Sequence, residues 1–145
     1  MSDAKSSRSI ADIAERFKSI DVCMLVTKTG PDAAIAARPM SNNGDVSKGD
    51  GTTFHFATDD GRIDDDLKRS PQCGATYSHG EFYGSVQGVA KLIRDRNVME
   101  EHWVDELEKW FENGLDTDGL VLIEVNPQRI AWWEGREQGE LTPGG

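Results

Sequence analysis

The chain has 145 residues, with 16 Lys and Arg against 26 Asp and Glu and a formal net charge of −10. Hydrophobic residues make up 37% and charged residues 29%, the composition of one soluble globular domain rather than a disordered chain. So acidic a surface repels nucleic acid and anionic lipid, and no apolar run reaches membrane-spanning length, so no nucleic-acid or membrane partner is expected and a cytoplasmic location is the default.

Residues 1–8 are polar and read as a flexible start. Ile10, Ile13, Ala14, Phe17 and Ile20 recur at spacings of three and four, which predicts an amphipathic helix over 9–20. Ser9 is placed to cap it, with Asp12 as an imperfect capping-box partner. The period then changes. VCMLVT (22–27) is apolar and β-branched and predicts a strand. KTGPD predicts a turn, residues 33–38 a second strand pairing with the first, and 41–51 a loop. TTFHFAT (52–58) predicts a strand with Thr53, His55 and Ala57 on one face and Phe54 and Phe56 on the other.

After a DDG turn, residues 62–69 predict a short helix that Pro71 stops. CGATYS (73–78) and FYGSVQGVAKLI (82–93) predict two strands around the tight turn HGE. Gly84 and Gly88 inside the second predict a bend, a bulge or a close approach to the backbone. Val98, Met99, His102, Trp103, Glu106, Leu107 and Trp110 predict one helix or two short ones over 95–111, which ENGLDTDG breaks. LVLIEVNP (120–127) and RIAWWEG (129–135) predict two more strands, and residues 136–145 a flexible tail. The result is one domain over 9–135 whose strands are mostly joined by hairpins. Such a pattern predicts an antiparallel barrel or sandwich with helices outside.

Few residues look chemical. His55, His79 and His102 have no second His or Cys at ligand spacing and read as unrelated. Asp64, Asp65 and Asp66 are adjacent, cannot converge on one ion, and suit a helix start. Cys23 and Cys73 read as buried free thiols. GxSxG, GxGxxG and Walker signatures are absent. What remains is Arg38 with Pro39 and Met40 after a run of alanines, then Thr58 and Arg62 at a strand end and helix start. An arginine fork, a hydroxyl and helix-start amides can grip a phosphate. An ordinary exposed Arg38 is an equally good reading of those residues, and Asp59, Asp60, Asp64, Asp65 and Asp66 weigh against a strong anion site. Of the four tryptophans, the adjacent Trp132 and Trp133 must point to opposite faces of a strand, one to the core and one to a partner or ligand.

The ordered pieces DVCMLVT, AARPM, TFHFAT with its short helix, YGSVQGVAKLIRDR, HW, WFENGLDTDGLVLIEVNP and AWWEG span roughly residues 9–134. Together they resemble the general stress protein 26 family, within the pyridoxamine 5'-phosphate oxidase-like flavoproteins. The resemblance implies a mainly β fold, a six-stranded antiparallel split β-barrel with peripheral helices. It also implies a homodimer with FMN in clefts at the interface. Arg38 would meet the phosphate or ribityl end, and Pro39 and Met40 would border the isoalloxazine. Thr58 would lie near the phosphate, with Arg62 in place of the family's basic helper. Gln87, Trp132 and Trp133 would line the flavin from either subunit. The implied function is FMN binding of the general stress type, with flavin-dependent oxidoreductase chemistry on an unspecified substrate and a nicotinamide as candidate electron donor. No residue is assigned as catalytic. Pyridoxamine phosphate oxidase activity is not expected, because no second basic cluster is present and Arg94 and Arg96 read as solvated surface. A non-catalytic module holding FAD, a deazaflavin or a protein partner is the alternative.

Overall fold

The alternating stretches fold into seven strands in the computed structural model, which describes residues 8–30, 34–42 and 44–143. The flexible start expected for 1–8 lies outside these residues except for Arg8, and so does the centre of the turn expected after β1. The elements are α1 (Ile10–Lys18), β1 (Val22–Lys28), β2 (Ile35–Ser41), β3 (Thr53–Thr58), α2 (Arg62–Arg69), β4 (Gln72–His79), β5 (Phe82–Ile93), α3 (Arg96–His102), β6 (Leu120–Glu134) and β7 (Glu137–Leu141). Two 3-10 turns, Asp105–Lys109 and Gly114–Asp116, lie between α3 and β6. No helix among the described residues is long and apolar enough to cross a membrane.

All pairings are antiparallel, in the order β2-β1-β4-β5-β6-β3, with β7 added to β6. The two ends of this path, β2 and β3, come back towards each other without sharing a ladder. His55 Nδ1 donates to the Ser41 carbonyl at 3.0 Å across the gap. The six-strand path is the expected split barrel, and β7 is a seventh strand that the sequence reading had placed in a flexible tail. Gly135, at φ +61°, allows a two-residue turn between Glu134 and Glu137. Arg129 then grips Glu140 across the new ladder at 2.9 and 2.6 Å.

The two strands expected at 120–127 and 129–135 are one, β6. Pro127 sits after the β3 ladder has ended at Val125 and before the β7 ladder begins at Ile130, so on that edge no partner needs its missing donor. β5 shifts register opposite it, between Gln87 and Gly88. A Cβ on Gly88 would lie 2.8 Å from the Asn126 carbonyl, so the bulge needs glycine. β2 runs on to Ser41, which puts Arg38 in mid-strand opposite Leu25 rather than at a strand end. Pro39 is tolerated there because β2 is an end strand of the sheet.

α1 plugs one mouth of the barrel. Its Ser9–Asp12 capping box is complete, and Ile13, Ala14 and Phe17 are buried. The Phe17 ring stacks on Tyr77 with centroids 4.1 Å apart. It fits because residue 84 is glycine; a Cβ there would lie 2.5 Å from Phe17 Cε1. Asn42 ties off the helix, its Nδ2 donating to the carbonyls of Phe17 and Ile20. β3 divides its side chains as expected. His55 and Ala57 face inward, while Phe56 joins Met99, Leu107, Leu120 and Leu122 in a second cluster under α3 and the 3-10 turns.

Candidate cofactor cleft at the barrel seam

Where β2 and β3 fail to pair, the sheet leaves a cleft of about 380 Å³. That is within the range of small-molecule sites. β2 contributes Arg38, Pro39, Met40 and Ser41, and β3 contributes Phe56, Ala57 and Thr58. Gly61, Arg62 and Ile63 come from the start of α2, Val22 from β1, and Trp110 and Phe111 from the segment after the first 3-10 turn. Five of the eight sequence-predicted residues therefore meet here: Arg38, Pro39, Met40, Thr58 and Arg62. Gln87 and Trp133 do not; both are exposed on the outer face of the sheet. Trp132 is wholly enclosed in the core, with the Arg8 guanidinium 4.2 Å above its ring, and is not among the described residues lining this cleft. Val22, Phe56, Trp110 and Phe111 were missed as site residues. All four are apolar residues that periodicity alone assigns to a core.

Arg38 is not the isolated charge that its neighbours in sequence suggest. Nη1 donates to Thr27 Oγ1 at 2.9 Å and Nη2 to Asp66 Oδ2 at 3.4 Å, while Thr27 donates to the same carboxylate oxygen at 3.1 Å. Asp66 is 2% exposed and also faces Arg69 at 3.6 Å. Asp64, equally buried, pairs with Arg94 at 2.5 Å and Lys68 at 3.0 Å. Arg94 also reaches Asp59. It is exposed, as expected from its place beside Asp95, and in addition bridges Asp59 and Asp64. None of the five aspartates around α2 is among the described residues lining the cleft. Arg62 does line it, is exposed, and makes no ion pair among the described residues. Gly61 caps α2 without a side-chain bond, so the first amides of the helix are open at this edge. Thr58 donates its hydroxyl to Asp60 and keeps its oxygen lone pairs at the cleft rim.

Apart from Arg38 and Arg62, none of the described lining residues is titratable. Nearby buried groups do not change this. Burial holds His55 below its ordinary pKa of 6.5; its Nδ1–H is used on Ser41, and Nε2 accepts from Thr53 at 2.9 Å. Burial pushes the Cys23 and Cys73 thiols up to about 11, which makes both poor nucleophiles at neutral pH. No group of three or more His, Cys, Asp or Glu among the described residues is placed to hold a metal. The cleft can bind and orient a molecule, but any redox or group-transfer chemistry must be brought by that molecule.

Next to the cleft the outer sheet face carries exposed apolar side chains among polar ones. Val22, Met24, Tyr83 and Trp133 are 44%, 39%, 54% and 43% exposed. The registers put them on one side: Met24 lies opposite Thr76, Tyr83 opposite Ser78 and Trp133 opposite Tyr83. Gln87 shares that side through Gly74 and Val26.

Residues 8–142 match the family model described as pyridoxamine 5'-phosphate oxidase like. General stress protein 26 of Bacillus subtilis (strain 168) is 34% identical over 64 residues, 44% of this chain and 43% of that protein. The matched regions span about half the length of the curated relatives or less, 43% and 49% of them. Among solved structures, a Clostridium acetobutylicum protein related to general stress protein 26, of the pyridoxinephosphate oxidase family, superposes with TM-score 0.79 at 13% identity, covering 92% of this chain and 93% of that one. A heme binding protein from Mycobacterium smegmatis gives TM-score 0.72 at 15% identity, covering 95% and 60%. At these identities the structural likeness shows the fold alone.

Proposed function

The chain belongs to the pyridoxamine 5'-phosphate oxidase-like family, and on that footing we propose that it binds FMN in the seam cleft and serves as a flavin-dependent oxidoreductase of the general stress type. The observation that carries the reading is the cleft's make-up: a cationic, amide-rich end beside an apolar body, with no acid, base or nucleophile of its own among the described lining residues. Arg62 and the first amides of α2 would hold the phosphate, joined by the Thr58 hydroxyl once it turns from Asp60 to donate to it. Arg38, kept in place by Asp66 and Thr27, would present its edge to the ribityl end. Met40, Ala57 and Phe56 would border the ring system and keep water from it. When bound, the flavin supplies electron or hydride transfer, with a nicotinamide as electron donor and the cytoplasm as the setting.

FMN is favoured over haem by the lining. Haem iron takes His, Cys, Met or Tyr as axial ligand. Only Met40 among the described lining residues is of such a type, and it is 8% exposed. The reading includes a homodimer through the outer sheet face. Val22 belongs both to that face and to the cleft, so a second copy seated there would border the flavin and bring its own Gln87 and Trp133 close. Titration of the full chain with FMN, FAD and hemin tests this. Saturable quenching of flavin emission by FMN is expected, weakened roughly 10- to 100-fold in Arg62→Ala if the phosphate bond is charge-assisted. No saturation by FMN up to millimolar concentration refutes the flavin assignment. It would leave a module for a protein partner, while saturation by FAD alone would change the cofactor.

A further inference from the structure

Trp110 ends the 3-10 turn Asp105–Lys109 at the cleft rim and is 59% exposed. Its neighbours are packed. Trp103 meets Phe56 edge-on at 5.1 Å, and Phe111 joins the second cluster. Trp110 belongs to neither core cluster. Its backbone is nevertheless fixed. The amides of Trp110 and Phe111 both donate to the Leu107 carbonyl at 2.9 Å, and Leu107 is 1% exposed. The chain thus holds a wide indole surface at a set point without burying it, which the hydrophobic effect alone disfavours.

The ring also has two sides to serve. Besides the cleft, it lines a second depression of about 270 Å³ whose wall carries Lys18, Asp21, Glu106 and Lys109. One compartment is mainly apolar with two arginines, and the other carries both signs of charge. Trp110 lines both, together with Val22 and Ser41, and Lys109 Nζ lies 5.7 Å from its ring centre. Among the residues that β2 and β3 bring to the cleft, only Phe56 offers an aromatic surface, and that ring packs against Trp103.

We propose that Trp110 is a direct ligand contact: its indole stacks on the flat ring of the cofactor in the seam cleft and separates it from the charged depression. This rests on the flavin reading above. An indole lying on an excited isoalloxazine quenches its emission by donating an electron to it, which gives the contact an optical signature that a merely structural tryptophan lacks.

The test uses Trp110→Phe and Trp110→Leu in the full chain, titrated with FMN while flavin and protein emission are recorded, with sedimentation run in parallel. Trp110→Leu should bind FMN roughly 3- to 10-fold more weakly. Trp110→Phe should stay within about threefold of the unaltered chain. In both, the bound flavin should regain emission. Unchanged urea midpoints will show that both variants fold. Variants that bind FMN with unaltered affinity and emission overturn the contact and leave the flavin reading standing. Loss of dimer with unaltered ligand emission overturns it too, since the ring then serves an interface. If FAD saturates the protein instead, the emission regained by bound FAD in Trp110→Phe is the reading; saturation by hemin alone overturns the flavin reading and this contact with it. If no probe saturates, the flavin reading and this contact fall together.

Discussion

Removing Arg38 and Asp66 singly and together weighs the ion pair that anchors Arg38 in the cleft wall. Asp66 is 2% exposed, with hydrogen bonds from Thr27 and Arg38 and Arg69 at 3.6 Å. Arg38→Ala leaves that carboxylate enclosed. Breaking a buried pair costs about 3–5 kcal/mol, and the surviving Thr27 and Arg69 bring the expectation down to about 2 kcal/mol. Asp66→Ala leaves Arg38 and Arg69, which are 23% and 47% exposed and can turn to water, so about 1–2 kcal/mol is expected. The double variant should be less destabilised than the sum by about 1–2 kcal/mol. Urea unfolding at fixed protein concentration, without ligand, reads these values. With a slope of about 2 kcal/mol/M, Arg38→Ala should lower the midpoint by about 1 M. Single effects that add within about 0.5 kcal/mol would refute the coupling. An unmoved midpoint in Arg38→Ala would do the same for its role as a clamp. Asp66→Asn adds a functional reading. Freed of its counter-charge, Arg38 should tighten binding of FMN more than binding of riboflavin, which carries the ribityl chain but lacks the phosphate.

Gly84→Ala should cost about 1–3 kcal/mol, because its Cβ would fall 2.5 Å from the Phe17 ring that plugs the barrel. Gly49→Ala, with only Ser47 Oγ at 3.8 Å, is the control and should leave the thermal midpoint in place. His55 titrates below 6.5 in the folded chain, so as pH falls the unfolded chain takes up the proton first. Stability should therefore be level above about pH 6.5 and fall below it by up to about 1.4 kcal/mol per pH unit, until the folded-state pKa is passed. Urea midpoints at three pH values, compared with those of His55→Gln, check this; the same slope in the variant would assign the effect elsewhere. Met24→Asp or Tyr83→Asp should turn a sedimenting dimer into the 16.0 kDa chain, and an unaltered protein that is already monomeric at micromolar concentration would remove the proposed interface.

What could be read from the sequence was local. The three-and-four spacing of α1, the Ser9–Asp12 box and the two faces of β3 all follow from neighbours a few positions apart. Gly84 and Gly88 were legible as places of close approach, though not what approaches: a helix side chain at one and a backbone carbonyl at the other. The failures share a cause as well. Asp66 and Asp64 looked like obstacles to an anion site because their partners, Arg38 and Arg94, are 28 and 30 positions away. Strand parity put one of Trp132 and Trp133 inside, but only the register with β5 decides which. β7 has no apolar alternation to announce it. It forms because a glycine turn returns the chain to an open edge of β6 and Arg129 finds Glu140.

The acids of α2 also explain how a chain of net charge −10 can hold a cationic cleft. Asp64 and Asp66 turn inward and are balanced there by Arg94, Lys68, Arg38 and Arg69. The same rotation of the helix leaves Arg62 facing the cleft. A helix with acids outward and bases inward would have given the opposite field at this edge. The arrangement has a second consequence. With Arg38 matched by Asp66, the uncompensated charge on the cleft wall is that of the exposed Arg62, which salt screens. Discrimination among ligands then depends less on total charge than on the shape of the seam and the rings around it. An open barrel seam, built because β2 and β3 do not pair, is the feature on which both the apolar body and the charged end of the site depend.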